Sequence, residues 1–113
     1  MADLEWVDTP GGIRIAPLWV DPEIERHGQM VKLARSSPGA VRKHTHAYRA
    51  VIISGASKHW VQGQTADDVA LQGPGDFWYQ AGGQNYQDQF PTDGPTVLYV
   101  AWDGQPDTQM LGE

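Results

Sequence analysis

Proline and glycine cut this chain into short pieces. Pro10-Gly11-Gly12, Ser37-Pro38-Gly39, Gly73-Pro74-Gly75, Gly82-Gly83 and Asp93-Gly94-Pro95 are all turn signals set between short apolar runs. Most of those runs are β-branched or aromatic, which suits a pleated, half-buried surface. An all-β fold is therefore expected, with strands at Ile13 to Trp19, Met30 to Ala34, Val41 to Tyr48, Ala50 to Ser54, Lys58 to Gln62, Asp76 to Gln80, Tyr86 to Phe90 and Thr96 to Trp102. Only Pro22 to His27 reads as a helical turn. With 113 residues, and neither an internal repeat nor a linker, the chain is expected to form one domain, 1–113, around a single core.

The charge balance removes several functions. A net charge of −6 argues against a phosphate-binding surface, so nucleic acid is not an expected partner, and the Arg42-Lys43 pair reads as a solvated strand face. The absence of cysteine removes disulfides, thiolate zinc sites and cysteine nucleophiles. Met1 to Gly12 carries Asp3, Glu5 and Asp8 without an apolar stretch, and no segment approaches the roughly 20 apolar residues of a membrane span. A cytoplasmic protein without a membrane partner is the expectation.

Two local patterns carry chemistry. In His44-Thr45-His46 the imidazoles lie two residues apart, so a regular strand would turn both to one face and aim them at one ion. Tyr48 continues that parity and Arg49 opposes it. The second pattern runs from Gly73-Pro74-Gly75-Asp76 through an aromatic strand to Ala81-Gly82-Gly83 and a new strand near Tyr86. Asp76 is expected to cap its turn, and Gly55, Gly75 and Gly83 to supply turns with positive φ.

Together the two patterns resemble the paired motifs of the cupin superfamily over about Pro38 to Phe90, and the whole chain looks like a small single-domain bacterial cupin. Gly39, His44, His46 and Gly55 fit the first motif, and Gly75, Gly83 and the Tyr86 position fit the second. The resemblance implies a cupin-type β-barrel or jelly-roll. It also implies a divalent transition metal (Fe, Mn, Ni or Zn) held by His44 and His46. The motif departs at three places: its glutamate falls on Ala50 or Tyr48, its proline on Ala81 and its second histidine on Tyr86.

The surviving site then consists of His44 and His46 as metal ligands, with Tyr86 or His59 helping, and Tyr86, Tyr48 and His59 as catalytic candidates. Phenols and neutral imidazoles both donate and accept hydrogen bonds, so this set can do acid–base work with or without a metal. Trp60, Trp78 and Trp102 are candidate walls for a small-molecule pocket. His27 reads as a surface residue. Three functions follow: a metal-dependent oxygenase, isomerase or cyclase, which is the leading expectation; a metal-free cyclase or isomerase; and a non-catalytic ligand-binding module. A homodimer is expected because Ile13 to Leu18 reads as an edge strand that needs covering.

Overall fold

The computed structural model describes residues 4–9, 13–23, 25–33, 41–90, 95–107 and 109–110. Among these residues ten strands form: β1 Val7–Thr9, β2 Ile13–Asp21, β3 Arg26–Leu33, β4 Arg42–Lys43, β5 Tyr48–Ser54, β6 Lys58–Val61, β7 Phe77–Gln80, β8 Tyr86–Gln89, β9 Thr96–Trp102 and β10 Gln109–Met110. They make two antiparallel sheets, one six-stranded in the order β1-β2-β3-β9-β5-β7 and one four-stranded in the order β10-β4-β8-β6. The result is a jelly-roll sandwich, as the turn spacing predicts. Of the turn signals, Pro10-Gly11-Gly12, Ser37-Pro38-Gly39 and Asp93-Gly94 lie outside the described residues, as do Ala34 and the first motif's Gly39.

Strand alternation builds the core. Along β9, Thr96, Leu98, Val100 and Trp102 point inward, and Tyr48, Ala50 and Ile52 of β5 lie on the same face. Leu33, Trp78, Tyr86 and Phe90 complete the buried cluster between the sheets. Burying a side chain of this size contributes about 1.5–3 kcal/mol relative to leaving it exposed. On the opposite face of the large sheet the Trp19 ring lies flat over Gly28, where a Cβ would come within 2.0 Å of the indole nitrogen, and its N–H donates to the Tyr99 hydroxyl at 3.1 Å.

Three expectations about elements need correction. The run Val41 to Tyr48 is not one strand: β4 stops at Lys43 and β5 starts at Tyr48. Between them the backbone turns to pair with loops instead, as His44 O accepts from Gly83 N at 2.7 Å and Ala47 O from Asp103 N at 2.9 Å. Glycine permits that approach, since a Cβ on Gly82 would sit 2.5 Å from Thr45 O. Of Pro22 to His27, the described residues enter no helix. Glu25 takes a positive φ of 55° and Arg26 already begins β3, while the one short helical turn among the described residues is the 3₁₀ segment Ala66–Asp68. Ile13 to Leu18 is not a bare edge either, because β1 pairs with Ile13 to Ile15 on one side and β3 with the strand on the other.

Candidate functional site

Residues from both sheets enclose a cavity of about 420 Å³. Its walls are mostly apolar, with Ile13, Ile15, Val31, Leu33, Leu98 and Val100 facing the aromatic rings of Tyr48, Trp78, Tyr86, Phe90 and Trp102. That volume falls in the usual range for small-molecule sites, roughly 300–1,000 Å³. Its polar lining comprises His44, Tyr86, Arg42 and Asp88, with Thr9 and Gln29 from the large sheet.

His44 is buried at the broken corner before β5 and is held from two sides. Its Nδ1 meets the Asp107 backbone carbonyl, which can only accept, so Nδ1 carries the proton and Nε2 keeps the lone pair. The Tyr86 hydroxyl then donates to Nε2 at 2.5 Å. Burial holds the His44 pKa below its ordinary value, against the raising effect of the Asp107 carbonyl and charge, so the ring is neutral at pH 7. Asp107 is itself fixed by Thr45, whose amide and hydroxyl donate to its carboxylate at 2.8 and 2.5 Å and pull its pKa down.

The neighbouring rings are polar at their tips. Trp78 Nε1 donates to the Tyr48 hydroxyl at 3.1 Å, the Tyr48 ring lies 6.0 Å from that of Tyr86, and Tyr86 donates to His44. Burial pushes both phenols well above the usual tyrosine range, Tyr48 because it is wholly enclosed and Tyr86 with added repulsion from Asp88. Both phenols therefore remain protonated as hydrogen-bond donors.

A second network sits alongside. His59 stacks on Trp78 with ring centroids 4.9 Å apart, and Tyr86 lies 5.0 Å from it. Its Nδ1 contacts the buried Asp88 carboxylate and its Nε2 the Gln80 side-chain oxygen at 2.7 Å. The Gln80 amide nitrogen faces the oxygens of Ala81 and Gln84, which sets its oxygen toward His59. Both ring nitrogens of His59 thus face side-chain oxygens, which fixes the ring between Asp88 and Gln80.

The structure therefore brings together His44, Tyr48, Tyr86 and His59 with Trp78 and Trp102, but not His46 or Trp60. His46 is exposed and its ring packs against Gly104, where a Cβ would meet the imidazole at 2.4 Å. Breaking the strand at residues 44–47 undoes the parity that would have paired the two histidines. Trp60 alternates with His59 along β6, so it faces a separate depression with Val41, Val61, Gln62, Gln64 and Gln87, and donates to Gln87 at 3.3 Å. His27 is half-buried in β3, Arg49 points outward to pair with Asp103 at 3.1 Å, and the Asp76 carboxylate caps its turn by accepting from Gly73 N at 2.9 Å. Asp88, Gln80 and Asp107 go unnoticed in the sequence, and Arg42, expected on a solvated strand face, lines the cavity instead. Asp88 and Gln80 carry a readable signal, since each lies two residues from a candidate, Tyr86 and Trp78, on the same strand face.

A transition metal does not fit this donor set. The Nε2 lone pair of His44 is taken by Tyr86, His46 is turned away, and among the described residues no group of three or more His, Asp or Glu is placed to hold an ion. Nor, among those residues, is any helix long and apolar enough to cross a membrane.

Comparison with known proteins agrees with the jelly-roll. The family model of the ChrR cupin-like domain matches residues 1–104, and the chain belongs to that family. No curated protein matches it. Among solved structures it is similar to an RmlC-like cupin from Shewanella frigidimarina, with a TM-score of 0.71 and 16% identity over 89% of this chain and 84% of that one. KdgF from a Halomonas species gives 0.73 and 17% identity over 92% and 90%. DMSP lyase DddQ from Ruegeria pomeroyi gives 0.75 and 16% identity over 97% of this chain and 62% of that one.

Proposed function

We propose that this chain is a small-molecule-binding cupin that works without a metal. The observation that carries the reading is the Tyr86 hydroxyl on His44 Nε2, at the wall of a largely apolar cavity. The hydroxyl stands in the direction from which an ion would bind the imidazole, while the imidazole's other nitrogen is already oriented by the Asp107 carbonyl. Named structural neighbours include a DMSP lyase and an acetylacetone dioxygenase from Acinetobacter johnsonii, proteins whose names refer to small molecules, which supports a small-molecule ligand here.

A second reading is favoured by the Tyr86 hydroxyl donating to a neutral His44. A bound ligand that gives a proton to the Tyr86 oxygen while the Tyr86 proton passes to His44 Nε2 would undergo isomerase- or cyclase-type acid–base chemistry. The cytoplasmic location and the homodimer belong to the same proposal; the homodimer rests on an outer face of the large sheet that exposes Trp19, Ile53, Phe77 and Tyr79.

The cavity itself is tested with an uncharged probe. N-phenyl-1-naphthylamine, which fluoresces in apolar surroundings, is expected to bind the parent with one probe per chain. Leu98→Trp, which fills the cavity from β9, should weaken that binding by at least about tenfold, while circular dichroism reports an unchanged β spectrum. Equal binding by a folded Leu98→Trp protein would contradict the proposal.

A further inference from the structure

From Arg42 we infer the class of ligand that the cavity takes: an apolar monoanion, most simply a monocarboxylate, whose head pairs with the Arg42 guanidinium while its body lies along the aliphatic wall. This inference rests on the small-molecule reading of the same cavity and adds the charge of the ligand.

Arg42 was expected to lie on a solvated strand face. Instead it is half-buried on β4, paired in register with Tyr86 of β8, and lines the cavity. Its Nε is buried without a hydrogen-bond partner, and Arg42 makes no ion pair with any described residue. The buried acid on that side, Asp88, is committed to His59. Tyr86 cannot complete the guanidinium, because a hydroxyl has one proton and two lone pairs: its proton goes to His44, and its oxygen already faces Tyr48 as well as Arg42. A guanidinium has five N–H donors, so one phenol oxygen cannot satisfy it.

Charge arithmetic then selects the ligand. Asp88 of the same wall contacts His59 and makes no ion pair with Arg42, so among the described residues the Arg42 guanidinium has no carboxylate against it. A partly buried cation without a counter-charge is costly, and a carboxylate supplies the two acceptor oxygens that a planar guanidinium matches. The aliphatic lining, Ile13, Ile15, Val31, Leu33, Leu98 and Val100, accommodates a hydrocarbon body, and Thr9 and Gln29 beside it add no second charge. A dianion would leave a charge against these walls without a partner.

The test compares octanoate with octanamide, which differ in head charge but share the alkyl body, by isothermal titration calorimetry. The parent is expected to bind octanoate at least about tenfold more tightly than octanamide. Arg42→Gln, which keeps most of the side-chain length, should bring the two within about twofold, whereas Arg42→Lys should keep the preference for octanoate. Folding of each variant is checked by circular dichroism, and the Arg42→Lys protein keeps the test valid if Arg42→Gln does not fold. Equal affinities in the parent would overturn the charge inference while leaving the cavity reading intact. So would a preference that survives in Arg42→Gln or disappears in Arg42→Lys. If neither compound binds the parent, the charge inference falls; if N-phenyl-1-naphthylamine also fails, the small-molecule reading falls with it.

Discussion

Asp88→Ala is expected to cost about 3–5 kcal/mol of folding stability, the largest effect of any single change in the site. Both side chains of the His59–Asp88 pair are nearly enclosed, at 8% and 6% exposure, so solvent does little to screen the loss. Removing the carboxylate leaves His59 Nδ1, enclosed with Trp78, Tyr86 and the Gln80 oxygen, without its partner. The ring must then draw in water or stay unsatisfied, and either outcome weakens the fold. A double substitution, His59→Leu with Asp88→Leu, is expected to cost less than Asp88→Ala alone, because replacing a whole buried pair by apolar groups leaves no orphaned polar group. Urea unfolding of the three proteins decides it. A loss under about 1 kcal/mol for Asp88→Ala would mean that the pair is solvated and contributes little.

The second large effect is expected from a single oxygen atom. Tyr86→Phe keeps the ring that fills the space between His44 and His59 but strips the partner from the His44 Nε2 acceptor and removes the polar oxygen from beside two more polar groups, the Tyr48 hydroxyl and Arg42. A buried polar group left unmatched costs about 1–3 kcal/mol, and the three share one site, so their losses do not simply add. A destabilisation of about 2–3 kcal/mol is expected by urea unfolding. A double-mutant cycle with His44→Gln should show coupling, since each change removes the same hydrogen bond. Additive losses would mean that the Tyr86–His44 contact contributes nothing, and that Tyr86 acts through packing alone.

The fold was legible because its signals are local. Turns at Gly73-Pro74-Gly75 and Gly82-Gly83, and alternation along Thr96 to Trp102, depend on residues close in sequence, and they appear where the pattern places them. The site was legible only in part. Tyr86 and Tyr48 reach the same cavity, and His59 packs against both Tyr86 and Trp78, as strand parity allows. His46 does not, because its direction depends on loops distant in sequence: Gly82 presses on the backbone of Thr45, and Gly104 receives the His46 ring. Asp107, which sets the tautomer of His44, lies 63 residues away and reaches it through a backbone carbonyl, a group that carries no residue-type signal. Arg42 likewise reads as a surface residue until the sheets close over its Nε.

The central claim is that the Tyr86 hydroxyl occupies His44 Nε2 and leaves no place for a metal. Two-dimensional long-range ¹H–¹⁵N NMR of the histidine rings, recorded at neutral pH before and after equimolar zinc chloride, tests it directly. The account predicts a neutral His44 ring with Nδ1 protonated and Nε2 bare, unchanged by zinc. A stoichiometric shift of the His44 Nε2 resonance on adding zinc, abolished by chelation, would contradict it.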